Sequence, residues 1–283
     1  MAHREGRGAL IMKNFLLFSL FAILFISPIH SFETSPWFGN DHEIETKVSY
    51  AYQKYKRIDA QEGIYYKPSE AHFIFLNTGV SILGNYNVEA ALNFMKNEAK
   101  GLDLESLSCS SRYLFYNDLI GEPFSLVFGL QATCSPSSTL SDPGVLHHAY
   151  ADGELHISFG KELSNSWNWD QRYWGLFALG KGNKGKAWIR GIFAWEKNIE
   201  DVHLLKLFLE SQHGLGNEKL RFGNVFPGYR CLGYSILDLG VKYSYIVDFF
   251  GRFDIELSRR IHARYAPEGV NKLAISLFYP FSL

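Results

Sequence analysis

The feature that most constrains this chain is a period-two alternation of apolar and polar residues. It returns in run after run of roughly ten residues. In the last run Leu273, Ile275, Leu277, Tyr279 and Phe281 share one face, and Lys272, Ala274 and Ser276 take the other. Upstream, Phe253, Ile255, Leu257 and Ile261 alternate with Asp254, Glu256, Ser258, Arg260 and His262. Before these, Leu237, Leu239, Val241, Tyr243 and Tyr245 alternate with Asp238, Gly240, Lys242 and Ser244. Ile44, Thr46, Val48, Tyr50 and Tyr52 open the series in the same way. A run of this kind is a strand with one apolar and one polar face. Twelve such strands are expected, near 43–55, 70–82, 86–95, 107–117, 124–134, 153–162, 172–181, 186–196, 202–213, 235–247, 252–264 and 271–281. Residues 70–82 and 172–181 alternate poorly, which leaves ten or fourteen strands as other counts.

The connections carry a second signal. Every other one is short: Leu83-Gly84-Asn85, a turn near Gly121, one near 165–170, Asn198–Asp201 and Phe249-Phe250-Gly251. The longest connections, near 56–69, 135–152 and 214–234, all fall in the opposite set. That asymmetry, with an even strand number, is the pattern of an all-β, antiparallel, up-and-down transmembrane barrel. Tyr86, Phe115, Phe124, Trp195, Tyr245, Phe253 and Tyr279 lie near strand ends on the apolar face, as an interfacial aromatic girdle requires. The competing architecture is a soluble lipocalin-like barrel, in which the same rings form the core and the charged face is outside.

The longest apolar run, Phe15–Ile26, is too short for a helix that spans a bilayer, which takes about 20 residues. It follows Lys13 and precedes Ser27-Pro28-Ile29-His30-Ser31, the layout of a secretory signal peptide. Cleavage is expected after Ser31, and Met12 makes a more compact start than Met1. Residues 1–31 are thus read as a leader and 32–283 as one barrel domain. The remainder carries 25 basic and 28 acidic residues, which gives no basic excess for nucleic acid.

The polar face of the strands points to the lumen. It holds nine carboxylates (Glu45, Glu89, Glu154, Glu162, Glu196, Glu210, Asp238, Asp254, Glu256) and seven cations (Lys47, Arg112, Arg190, Lys206, Lys242, Arg260, Lys272). Near balance argues against a lining of one sign and for cross-strand pairs. On the last three strands Lys242, Asp254, Glu256, Arg260 and Lys272 are expected to form a bracing ladder. Cys109 and Cys134 are expected opposite each other across a turn centred near residue 121, within disulfide reach, with Cys231 left free. No serine lies in a recognisable motif around His156, His203 or His262, so an enzyme is not indicated, and no cofactor is. His147-His148, in the loop 135–152, reads as an exposed polar segment rather than a metal site. Gly180-Lys-Gly-Asn-Lys-Gly185 lacks the strand–loop–helix context of a phosphate loop and reads as a hairpin connection.

The terminal Leu273-Ala-Ile-Ser-Leu-Phe-Tyr-Pro-Phe281 resembles the signal that barrel-assembly machinery reads in outer-membrane proteins, although Ser282 and Leu283 extend past the aromatic. Ser35-Pro-Trp-Phe-Gly-Asn40 and Asp238-Leu-Gly-Val-Lys-Tyr-Ser-Tyr245 resemble stretches of uncharacterised outer-membrane barrels of chlamydia-like bacteria. The resemblance implies export to an outer membrane, with lipid and the assembly machinery as partners, and it brings no assigned activity. Two functions are open: a porin-like passive channel for small solutes, or a surface interaction protein anchored by its barrel. The second would use loop aromatics such as Tyr65, Tyr66, Phe222, Phe226 and Tyr229.

Overall fold

The computed structural model describes residues 32, 34–98, 100–165, 168–221, 226, 228–247 and 251–282; the expected leader and Phe222 lie outside them. Twelve long strands form the barrel: β1 (Glu43–Ala60), β2 (Gly63–Ile82), β3 (Tyr86–Asn97), β4 (Lys100–Tyr116), β5 (Ser125–Cys134), β6 (Ala151–Asn165), β7 (Asn168–Gly182), β8 (Ala187–Ile199), β9 (His203–Gly214), β10 (Ser235–Val247), β11 (Gly251–Arg264) and β13 (Asn271–Ser282). A two-residue strand, β12 (Pro267–Glu268), lies in the last loop. Each long strand pairs antiparallel with its sequence neighbours, and β13 returns to β1 with Phe281 opposite Ile44 and Asn271 opposite Lys54. Closure leaves no sheet edge, the condition for strands to cross lipid.

The burial pattern decides between the two architectures. Leu155 and Phe193 on the outer face are each 58% exposed, whereas Asp238 and Asp254 inside are 1% exposed. The apolar face looks outward over the whole wall and the charged face inward, the reverse of a soluble barrel. An apolar surface of that extent needs lipid around it. At the short-turn end the rings run in a chain: Tyr86, Tyr113, Phe115 and Phe128 stand 4.7, 4.7 and 4.8 Å apart in turn.

Two expectations are corrected. Residues 56–69 are not a long loop. β1 and β2 continue to Ala60 and Gly63 around a turn at Gln61-Glu62, where Gly63 takes a left-handed φ of 126°. Pro68 and weak alternation hid this extension, which the structure accommodates with a register shift between Tyr55 and Arg57. The disulfide is also absent. Cys109 pairs with Ala132 and Cys134 with Leu107, and both thiols are free and exposed. The β4–β5 turn contains a short 3₁₀ helix (Asp118–Ile120), and a bulge precedes it between Leu114 and Tyr116 at the end of β4. Together they offset the register by two residues. The cysteines are therefore diagonal neighbours, about 7–8 Å apart and beyond a disulfide's reach.

Candidate functional site

The inward side chains do not fill the barrel, and three features divide its lumen: the charged wall, a strap from the amino-terminal side, and a roof from the long loops.

The wall is laced by ion pairs. Arg260 grips Asp238 with two hydrogen bonds, 2.9 and 3.1 Å, and adds a longer one to Pro267 O. Lys242 lies 3.6 Å from Asp254, which Arg252 also approaches at 2.9 Å, as a charge contact rather than an aligned hydrogen bond. Glu256 stands opposite Lys242 in register, but Lys242 closes its ion pair on Asp254. Lys272 sits between Gln53 and Ser258 on its neighbouring strands. The expected five-residue ladder is therefore split into two separate pairs. Their partners, Asp238 and Arg252, lay outside the expected five. Arg190 holds Glu154 at 2.5 Å and Arg112 holds Glu89 at 2.5 Å on the far wall. Glu105 faces inward beside Ser106 because a register shift at Asn93–Phe94 buries two consecutive residues. Strict alternation cannot foresee that.

The strap is Phe32 and Thr34–Asn40, which enters the barrel instead of running outside it. Its carbonyls are held by the wall: Ser158 Oγ donates to Thr34 O at 2.9 Å, and Arg112 Nη1 to Ser35 O at 3.0 Å. Trp37 is buried against Trp174, Leu176, Ala178 and Phe208, and its indole N–H donates to Asp118 Oδ1 at 2.9 Å. The Arg172 guanidinium lies 4.7 Å from the Trp37 ring and 4.1 Å from that of Trp169. Gly160 makes room for the strap. A Cβ there would lie 2.8 Å from both Pro36 and Trp37. The sequence signal was the non-alternating Pro-Trp-Phe-Gly run, which says nothing about where it docks.

The roof comes from the loops after β5 and β9. Gln53 donates to Gly144 O at 3.0 Å, and Tyr229 OH to Pro143 O at 2.6 Å. Tyr229, Tyr234, Leu220 and Leu232 pack with Tyr55, Ile58 and Tyr265 in a cap of apolar side chains. Tyr229 is thus buried, and Phe226 packs against the same cap. His148 is buried and His147 half-buried, correcting the exposed-loop reading. His148 stacks on Trp188 with centroids 3.8 Å apart and pairs with Tyr234 OH at 2.7 Å; burial pushes its pKa down to about 3, so it stays neutral. His147 is paired with Glu105. Burial alone would lower its pKa, but the Glu105 carboxylate outweighs that and holds the imidazole above its ordinary value. A raised folded pKa stabilises the protonated form. The latch is therefore complete below the unfolded value of about 6.5 and weakens as pH rises through the folded pKa. Roof opening, read as the accessibility of a thiol placed by Val145→Cys, should increase as pH rises above the ordinary imidazole value. His147→Gln should abolish that dependence.

Between roof and strap lies a chamber of about 210 Å³; on the other side of the strap a second, of about 250 Å³, faces the short-turn end. Phe32 and Thr34 line the first, and Ser35, Trp37, Phe38 and Gly39 the second. The strap thus runs between the two chambers, and the loop roof covers the first.

No family model matches the chain, and no curated protein matches it. Solved structures do. An outer membrane channel from Pseudomonas putida F1 superimposes with a TM-score of 0.67 at 10% identity, over 88% of this chain and 99% of that one. The NanC porin gives a TM-score of 0.57 at 7% identity, over 84% and 100%. A KdgM porin in complex with disordered oligogalacturonate gives 0.51 at 10% identity, over 83% and 99%. At such identities the likeness establishes the fold, a closed outer-membrane-type β-barrel.

Proposed function

We propose that this protein is a porin-like passive channel for small solutes in a bacterial outer membrane. The observation that carries the reading is the lumen itself. It holds two chambers, and the strap runs between them. Chains that share this barrel over nearly their full length are described as channels and porins. The surface-interaction reading loses ground because Tyr229, one of its candidate contact residues, is buried in the roof. The leader ending at Ser31 supports export. The carboxy-terminal strand supports recognition by barrel-assembly machinery, and β13 is the strand that closes the barrel on β1. The tie to barrels of chlamydia-like bacteria rests on two segments, which fall on the strap and on β10.

Folded protein should fractionate with outer membranes and migrate faster in detergent gels before boiling than after. Recovery as a soluble periplasmic protein without detergent would end this reading. Purified protein in planar bilayers should show small, ohmic steps; silence of the wild type and of every lumen variant would leave a barrel with no channel.

A further inference from the structure

Positive charge gathers on one sector of the long-loop rim. The β7–β8 hairpin carries Lys181, Lys184 and Lys186, and the loop from β9 to β10 carries Lys219, Arg221 and Arg230. All six are exposed, and none closes an ion pair among the described residues. Glu218 is the single carboxylate in either segment. The two segments are fixed against each other. The Lys186 amide donates to Arg230 O at 2.7 Å, and the Leu215 amide to Ala187 O at 2.9 Å. A Cβ on Gly185 would lie 2.2 Å from Arg230 O, so the hairpin tip meets the loop backbone to backbone. Arg221 Nε donates to Gln61 Oε1 at 3.1 Å and ties the loop to the β1–β2 turn. Lys181 stands where this platform meets the wall. It shares the outward face of β7 with Phe177 and Leu179, which are 55% and 46% exposed. The neighbouring sector of the same rim is neutralised, since Lys54 takes Glu70 and Arg57 takes Glu268. The short turns have the opposite sign: Asp118, Glu122, Glu200 and Asp201, with no Lys or Arg among their described residues.

We propose that this platform docks a lipid of the outer leaflet whose head group carries two or more phosphates, with the hairpin lysines on the phosphates and the acyl chains along Phe177 and Leu179. The proposal rests on the outer-membrane reading and names a lipid partner for that barrel. Each Lys or Arg near a membrane surface adds attraction to anionic head groups, and a cluster of them selects the more highly charged ones. Ammonium groups suit phosphate as point charges. The place of Lys181 decides between a lipid and a soluble anion. It is the charge at the upper edge of an apolar wall, so a lipid gains from the lysines and from the wall together. A soluble anion gains from the lysines alone, in water and screened by salt.

The test is native mass spectrometry of the full-length protein, folded in detergent, titrated with three probes: bisphosphoryl lipid A, the same lipid stripped of phosphate, and glucose 1,6-bisphosphate, which has the phosphates and no acyl chains. Bisphosphoryl lipid A should bind at least about tenfold more tightly than either of the others. The triple change Lys181→Gln, Lys184→Gln, Lys186→Gln should cost it about tenfold, and the matching triple change to Arg should keep most of the binding. Lys56→Gln with Lys67→Gln, exposed on the neutralised sector, should leave binding unchanged. Heat-modifiable gel migration confirms that each variant is folded. Equal binding of the stripped lipid would remove the phosphates from the site, and equal binding of glucose bisphosphate would remove the lipid. Equal losses in the triple and the control variants would mean diffuse charge with no site. Each of these results overturns the proposal. The outer-membrane reading is judged separately by fractionation. A protein that fractionates with outer membranes but does not prefer bisphosphoryl lipid A keeps its location and loses this site. One that prefers the lipid but is recovered soluble from the periplasm does the opposite.

Discussion

Replacing Trp37 with alanine should open the barrel: time-averaged bilayer conductance rises several-fold, while gel mobility of the folded form stays as in the wild type. The indole is the strap's anchor, buried against Trp174, Leu176 and Phe208, tied to Asp118 and covered by Arg172. Truncating a buried tryptophan costs about 3–5 kcal/mol, here charged to docking and not to the barrel. A loss of about 3 kcal/mol moves the docked-to-undocked ratio roughly a hundredfold. Gly160→Ala supplies an independent route. It leaves the strap's chemistry intact, but its Cβ would stand 2.8 Å from Pro36 and Trp37. It would also stand 2.9 Å from the Cβ of Trp174, the cross-strand partner, so the clash is shared by the strap and the wall beneath it. Both variants should conduct alike. If both retain wild-type conductance, the strap is not the barrier, and solutes pass elsewhere.

The second large effect is on stability. Arg260→Ala should lower unfolding free energy in lipid by about 3–5 kcal/mol, the cost of leaving a buried carboxylate without its partner. Arg260 and Asp238 are 4% and 1% exposed, so little water is at hand to replace the guanidinium. The side chain also bonds Pro267 O, and its backbone N–H bonds Val270 O, so the last loop loosens with it. Arg260→Met with Asp238→Leu should cost much less than the single change, because no charge is then stranded. Glu256→Ala is the contrast. Its carboxylate is not the one that Lys242 pairs with, and a smaller loss is expected. A drop below about 1 kcal/mol for Arg260→Ala would mean that the lumen is wet at this depth. Altered ion selectivity at unchanged stability would make these charges a permeation site and not a brace.

The two predictions depend on different levels of the sequence. Arg260 and Asp238 could both be assigned to the lumen from alternation alone, since the side-chain period of a strand is fixed at two by backbone geometry. Ten of the twelve strands, all but β2 and β7, and the shared face of Lys242, Asp254, Glu256, Arg260 and Lys272 were legible for that reason. Who pairs with whom was not. Lys242 met Asp254 instead of Glu256, and Arg260 met Asp238, because pairing depends on stagger and rotamer rather than on face.

What the sequence determined by itself was therefore local and periodic: most of the strands and which residues share a face; the final strand count and the face that meets lipid came from the closed ring. What only the tertiary structure decided was everything that joins distant parts of the chain. A bulge and a 3₁₀ turn of no clear signature shifted β4 against β5 and parted Cys109 from Cys134. His147 and His148, polar on paper, became half-buried and buried when Glu105 and Tyr234 met them from other elements. The strap's Trp37 found its site on Gly160, Trp174 and Asp118, residues more than eighty positions away in sequence. A barrel interior is filled by such contacts, whose free energy depends on closure of the whole ring and leaves no periodic trace in the chain.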